Sequence, residues 1–121
     1  MKLLITGGSG YLGRRLVRQA AERHELRYTY FNNDPLGQSF GLCIDLRDDK
    51  DFRDLVESFR PKAIIHTAGS DRSPDSNNLI RSAAGNVTSA ARAVSARLIH
   101  LSTDVLFDGR HAPYDEMAQP A

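Results

Sequence analysis

A single cysteine, Cys43, is all that the chain of 121 residues offers to thiol chemistry. No internal disulfide can form, which suits a reducing compartment. Long hydrophobic runs are missing as well: the first apolar stretch, residues 3–5, stops at a glycine turn. That is far short of the roughly 20 residues a membrane span requires, and of the apolar core of a secretory signal. Neither sign of charge is in surplus, since 16 basic against 15 acidic residues leave a formal net charge of +1. The arginines are spread along the chain, so there is no electrostatic case for nucleic acid or a membrane surface as partner. The four histidines show no metal-ligand spacing, and no metal is expected. What remains is a globular composition, 40% hydrophobic, expected in the cytoplasm. Its length suits one domain but is short for a complete dinucleotide-dependent enzyme.

Periodicity alternates between strand and helix along the whole chain, the signature of an α/β fold on a parallel sheet. Strands are predicted at residues 3–6, 26–31, 42–44, 63–67 and 98–102. The first helix runs from Leu12 to about His24, with Leu12, Leu16, Val17, Ala20 and Ala21 at helical spacing. A second covers residues 48–60, with Phe52, Leu55, Val56 and Phe59 on one face and Pro61 just past its end. A third covers residues 76–95, where Gly85 is a mild weak point. Right-handed crossovers then place strands one to three stepping outward on one side and strands four and five on the other. The expectation is a doubly wound parallel sheet of Rossmann type, order 3-2-1-4-5, with ligands at the carboxyl ends of strands one and four.

Residues 6–13 read Thr-Gly-Gly-Ser-Gly-Tyr-Leu-Gly. Gly8, Gly10 and Gly13 satisfy G-x-G-x-x-G in the strand-then-helix context that lifts the pattern above chance. The early glycines are expected to permit unusual backbone angles and a close approach to a pyrophosphate, and Gly13 to let helix and strand pack tightly. Phosphates would rest on the free N–H groups and positive dipole end of the first helix. An ordinary tight turn is the alternative.

Several segments together resemble the extended short-chain dehydrogenase/reductases, and within them the dTDP-4-dehydrorhamnose reductase-like sugar-nucleotide reductases. They are Thr6-Gly7-Gly8-Ser9-Gly10-Tyr11-Leu12-Gly13, Asp45-Leu46, Ile64-Ile65-His66-Thr67-Ala68-Gly69, and Ser102-Thr103-Asp104-Val105-Leu106-Phe107-Asp108-Gly109 followed by Pro113-Tyr114. The resemblance implies that Gly7, Ser9, Gly10, Tyr11, Leu12 and Gly13 hold the cofactor's phosphates. It also implies that Asp45 accepts from the adenine amino group while the backbone of Leu46 meets the ring. On residue type alone Asp45 is equally a helix-flanking carboxylate. By the same resemblance Ala68 and Gly69 bring bare backbone to the ribose and nicotinamide, though small residues after a strand also make plain turns. His66 reads as a packed strand residue. Thr103 matches the catalytic hydroxyl that donates to the substrate carbonyl, with Ser102 on the cofactor side; a local backbone turn is the other reading of this pair. Asp104, Val105 and Phe107 fall on the substrate side, and Val105 replaces the tyrosine of many relatives.

Cofactor choice turns on the end of the second strand, where a carboxylate would bind the ribose of NAD and an arginine nearby would favour NADP. Asn32 stands at that position, with Asp34 slightly beyond and Arg14 and Arg15 at the start of the first helix. Neutral Asn with arginines nearby tilts the choice toward NADP and leaves NAD open.

The resemblance also implies a tyrosine proton donor with a lysine four residues later. Here the residues four beyond Tyr11, Tyr28, Tyr30 and Tyr114 are Arg15, Asn32, Asp34 and Ala118. The expectation is therefore an amino-terminal, NAD(P)-binding Rossmann domain over residues 1–121, truncated before that pair and inactive alone. Its substrate would be a 4-keto-6-deoxy sugar nucleotide. An NAD-dependent epimerase or dehydratase of the same family and a non-catalytic nucleotide-binding or regulatory protein are the alternatives. Only the first helix is expected to cover one face of the sheet, leaving strands four and five bare there and homo-oligomerisation open.

Overall fold

The computed structural model describes residues 1–67, 76–101 and 117, with side chains from residue 80 onward in the second stretch. Its elements follow the predicted alternation: β1 (Lys2–Thr6), α1 (Tyr11–Ala20), β2 (Glu25–Tyr30), β3 (Gly41–Cys43), α2 (Asp49–Phe59), β4 (Ala63–His66), α3 (Ser76–Ala93) and β5 (Arg97–His100). The five strands form one parallel sheet in the order β3-β2-β1-β4-β5. β1 lies at its centre, and Leu3 to Thr6 are buried on both faces, as a central parallel strand requires.

Side-chain alternation divides the core into two layers. Leu4 and Ile64 face α2 and α3, packing with Ile44, Leu46, Phe52, Val56, Phe59, Val87 and Ala91. Leu3, Ile5, Leu26, Tyr28 and Ala63 face α1 and pack with Val17. α2 shows why its sequence forms a helix: the Asp48 side chain caps the Lys50 N–H, and Asp49 and Asp51 sit in the first turn where the dipole favours negative charge. It ends at Arg60, which adopts the left-handed conformation (φ 54°) and donates its N–H to the Val56 carbonyl ahead of Pro61.

Several boundaries move, for tertiary reasons. α1 stops at Ala20 rather than near His24, because the N–H groups of Arg23 and His24 both turn back onto the Ala20 carbonyl and deliver Glu25 to β2. Leu12 and Ala21, at helical spacing with the buried residues, are exposed. β3 begins at Gly41, paired with Tyr28, whose ring leaves no room for a side chain there. β5 begins at Arg97, whose N–H reaches the Lys62 carbonyl, and ends at His100.

The face expected to be bare is so only in part among the described residues: on β4, Ala63 is buried and Ile65 half-buried against the α1-side cluster, and it is β5 that lies open. Ile65 and Ile99 pair in register on the α1 side, and Ile99 remains 43% exposed. Beside α1 this face carries a groove of about 520 Å³, lined by Leu3, Ile5, Leu16, Ala20 and Ile65 with polar residues of α1 and the turn after it.

Candidate functional site

The glycine turn leaves β1 at Thr6 and closes into α1 through two backbone bonds, Gly10 N–H to the Gly7 carbonyl (3.0 Å) and Arg14 N–H to the Gly10 carbonyl (3.0 Å). Its four glycines have four different reasons. Gly7 has φ +70°, a conformation a side chain would strain. Gly8 is buried, donates to the Thr29 carbonyl at 2.8 Å, and a Cβ on it would lie 2.5 Å from Cδ2 of the Tyr28 ring. Gly13 presses against the turn so closely that a Cβ would overlap the Gly7 carbonyl oxygen. That last contact is the tight helix packing expected of the third motif glycine.

Gly10 differs, because a Cβ there would meet only the Gly7 carbonyl oxygen, at 3.3 Å. The position is exposed, and it is the N-cap of α1 in extended conformation with no side chain to cap the helix. Helix N-termini leave their first N–H groups unsatisfied, and here nothing acidic occupies the first turn. Internal packing thus explains Gly8 and Gly13, whereas Gly10 faces outward with only the Gly7 carbonyl oxygen close to it. Donors, positive dipole and bare backbone together fit a phosphate. Tyr11 and Leu12 stand exposed beside it, with the guanidinium groups of Arg14 and Arg15 within 5.8 Å and 5.2 Å of the Tyr11 ring. Ser9 is half-buried in the turn.

The end of β4 braces this turn. Thr67 donates its hydroxyl to the Thr6 carbonyl at 2.7 Å and approaches the Gly7 carbonyl at 3.3 Å. Sequence reading gave Thr67 no role, although its place one residue past the strand adjoining β1 is the signal that finds it. His66 is 1% exposed, and its Nδ1 lies 2.6 Å from the Thr6 hydroxyl. Its ring stacks on that of His100 with centroids 5.2 Å apart. Burial, with His100 adding to it, pushes the His66 imidazole down to about 4, so it is neutral at physiological pH. This is the packed strand histidine the sequence pointed to.

Asp45 and Leu46 follow β3 on the far side. The Arg47 guanidinium embraces the Asp45 carboxylate, Nε at 2.9 and 3.0 Å and Nη2 at 2.6 Å, while the Arg47 N–H reaches Oδ1 at 3.0 Å. These bonds hold the carboxyl below its usual range. Arg47 also lies 5.5 Å over the ring of Phe31, which is half exposed at the end of β2. Leu46 buries its side chain in the core, and its carbonyl accepts from Asn86 Nδ2 of α3 at 2.9 Å. Asn86 lies forty positions away, and no local pattern marks it. Asn32 is exposed next to Phe31, whereas Asp34 turns inward to the Tyr28 hydroxyl at 2.7 Å.

The structure therefore brings the glycine turn, the end of β4 and the adenine-side candidates around the carboxyl edge of the sheet. Ala68, Gly69, Ser102, Thr103, Asp104, Val105 and Phe107 lie outside the described residues. Cys43 is exposed and directs its thiol to the Phe31 carbonyl. Among the described residues no group of three or more His, Cys, Asp or Glu is placed to hold a metal ion, and no helix is long and apolar enough to cross a membrane.

Known proteins resemble this arrangement. A solved structure of a hypothetical dTDP-4-dehydrorhamnose reductase from Sulfolobus tokodaii superposes over 100% of this chain and 46% of its own, with a TM-score of 0.88 and 30% identity. The Bordetella bronchiseptica enzyme WbmG, solved in complex with NAD, shares the fold at a TM-score of 0.84 and 23% identity, over 100% of this chain and 44% of its own. Methionine adenosyltransferase 2 subunit beta of Xenopus laevis is 33% identical over 98% of this chain and 37% of its own length. The chain spans less than half the length of each of these relatives. Matched over residues 1–121 by the model of the RmlD substrate binding domain, the chain belongs to that family.

Proposed function

We propose that residues 1–121 are the NAD(P)-binding part of a sugar-nucleotide reductase acting on a 4-keto-6-deoxy sugar nucleotide in the cytoplasm. One observation carries this reading: the uncapped N-terminus of α1 under Gly10, the motif glycine whose open side internal packing does not explain. When bound, the nicotinamide supplies hydride. The chain's own residues bind and orient. Backbone from Gly7 to Gly13 receives the pyrophosphate, with Ser9, Tyr11 and Leu12 at its rim. Asp45, aimed by the Arg47 fork, and the backbone of Leu46 form the adenine end, and Asn32 faces the ribose. A neutral Asn32 favours NADP over NAD. By family resemblance Ala68, Gly69 and Ser102 flank the nicotinamide side. Thr103 donates its hydroxyl to the substrate carbonyl as negative charge develops there, and Asp104, Val105 and Phe107 meet the sugar.

The test uses the gene product that carries this chain. NADPH and NADH fluorescence titrations are expected to show binding that Gly10→Asp abolishes, since the carboxylate takes the place of the phosphate and repels it. Oxidation of the bound cofactor on adding a 4-keto-6-deoxy sugar nucleotide is expected as well. Unchanged affinity in Gly10→Asp sinks the assignment of the turn. A second reading, a non-catalytic regulatory protein of the same fold, is favoured by the 33% identity to methionine adenosyltransferase 2 subunit beta. Cofactor binding without oxidation by any keto sugar nucleotide selects it.

A further inference from the structure

The loop after β2 holds a carboxylate two residues beyond the position where a ribose-binding acid would be sought, and that carboxylate is turned inward. Asp34 is half-buried. Its Oδ2 accepts from the Tyr28 hydroxyl at 2.7 Å and its Oδ1 from the Leu36 N–H at 3.2 Å. The same hydroxyl accepts from the Gln38 N–H at 3.2 Å, so one phenol gathers both ends of the segment 34–38. Tyr28 is itself immovable: it is 0% exposed, its ring is edge-on to Phe40, and it fills the space that side chains on Gly8 and Gly41 would take. Burial first, and then the bond to Asp34, push its phenol up to about 12, so it stays a donor across the working pH range.

We propose that Tyr28 is a specificity-determining positioning residue: by latching Asp34 inward it withholds a carboxylate from the adenosine ribose, leaves Asn32 facing that site, and so admits a 2′-phosphate. This rests on the dinucleotide reading of the glycine turn. The latch works by aim rather than saturation, because each carboxylate oxygen keeps a lone pair but the group is fixed toward the sheet. Released, Asp34 is free to swing outward, where its charge opposes a 2′-phosphate and its oxygens accept from a 2′-hydroxyl. Sequence alone places Asp34 only two residues beyond Asn32; the inward turn is a tertiary fact.

The experiment measures Kd for NADPH and NADH by fluorescence titration on the gene product carrying this chain, in wild type, Tyr28→Phe and Asp34→Asn. Tyr28→Phe keeps the ring that packs under Gly8 and Gly41 and removes only the hydroxyl. The ratio of the two Kd values is expected to move toward NADH by about tenfold in Tyr28→Phe, the scale of one charge-assisted hydrogen bond gained or one repulsion introduced. In Asp34→Asn the ratio is expected to stay within about twofold of wild type, because a carboxylate aimed inward contributes little at the ribose. This variant leaves Tyr28 an acceptor and decides the matter should Tyr28→Phe fail to fold. An unchanged ratio in Tyr28→Phe, or a large shift toward NADPH in Asp34→Asn, overturns the latch while leaving cofactor binding intact. Wild-type protein that binds neither cofactor overturns the dinucleotide reading and the latch with it. A purely structural Tyr28 would lower stability without moving the ratio.

Discussion

Acid should weaken this fold in a window that belongs to His66 alone among the groups described above. The imidazole sits at about 4 in the folded chain, against about 6.5 when free, because burial and the stacked His100 disfavour the cation. Its folded pKa is depressed, so below 6.5 the unfolded chain takes up a proton that the folded chain refuses. Stability is therefore fully present above pH 6.5 and lost as pH falls toward 4. A shift of about 2.5 pH units corresponds to about 3 kcal/mol when fully expressed, and to about 2 kcal/mol between pH 8 and pH 5. The carboxyl of Asp45, held below its usual range by Arg47, contributes only at lower pH still. Urea unfolding at pH 8, 7, 6 and 5 reads the effect directly. For a domain of this size the midpoint should fall by roughly 1 M across that range. His66→Gln, whose amide still reaches the Thr6 hydroxyl, should flatten the pH dependence to less than about 0.5 kcal/mol while lowering stability at pH 8. A wild-type midpoint constant from pH 8 to pH 5, or a His66→Gln midpoint that falls as steeply as wild type, would refute the reasoning.

Three further outcomes follow from the packing. Gly13→Ala should cost about 2–3 kcal/mol because the new methyl overlaps the Gly7 carbonyl, whereas Gly10→Asp should melt within a few degrees of wild type because the N-cap acceptor it adds offsets a tight 3.3 Å contact of its Cβ with the Gly7 carbonyl oxygen; circular-dichroism melts compare them. Arg60→Gly should raise stability by about 1 kcal/mol, several degrees in the same melt, by relieving the left-handed C-cap of α2; a lower midpoint would show that the Arg60 side chain matters more than its backbone. The 13.4 kDa chain of 121 residues, taken alone, should self-associate through the apolar face of β4 and β5, and Ile99→Lys should reduce that association in analytical ultracentrifugation; a wild-type monomer at every concentration would contradict it.

Much of the architecture was legible because its signals are local. β1, the glycine turn and α1 lie consecutively, α2 announces both its ends with Asp48 and Pro61, and right-handed crossovers convert strand sequence into sheet order. Less legible was where each element stops. Leu12 and Ala21 keep the helical period yet face solvent, since α1 shows the sheet only the stripe around Val17 and closes early on the Ala20 carbonyl. Within the site, residue types located the crevice but not the partners. Sequence reading placed Asp45 on the adenine side and Asp34 just beyond the ribose position, without showing that either carboxylate has a partner in the chain. Asp34 is taken by Tyr28 of β2, six positions back, and Asp45 by Arg47, two positions on in a turn that the Asp48 N–H closes on the Asp45 carbonyl.

By itself, then, the sequence determined an α/β chain with a parallel sheet ordered 3-2-1-4-5 and a glycine turn at the switch point between β1 and β4. Periodicity, turn chemistry and handedness act over a few residues and need no tertiary partner. Only the tertiary structure decided what each glycine is for, and which polar groups already have partners. Gly8 yields to Tyr28 and Gly13 to the Gly7 carbonyl, while Gly10 meets only that carbonyl's oxygen, at 3.3 Å. Thr67, Asn86 and His66 bind groups 40 to 61 positions away, contacts that exist only once β1, β4 and α3 have packed. The physical reason is that a hydrogen bond or an overlap depends on distance in space, and chain separation carries no measure of it.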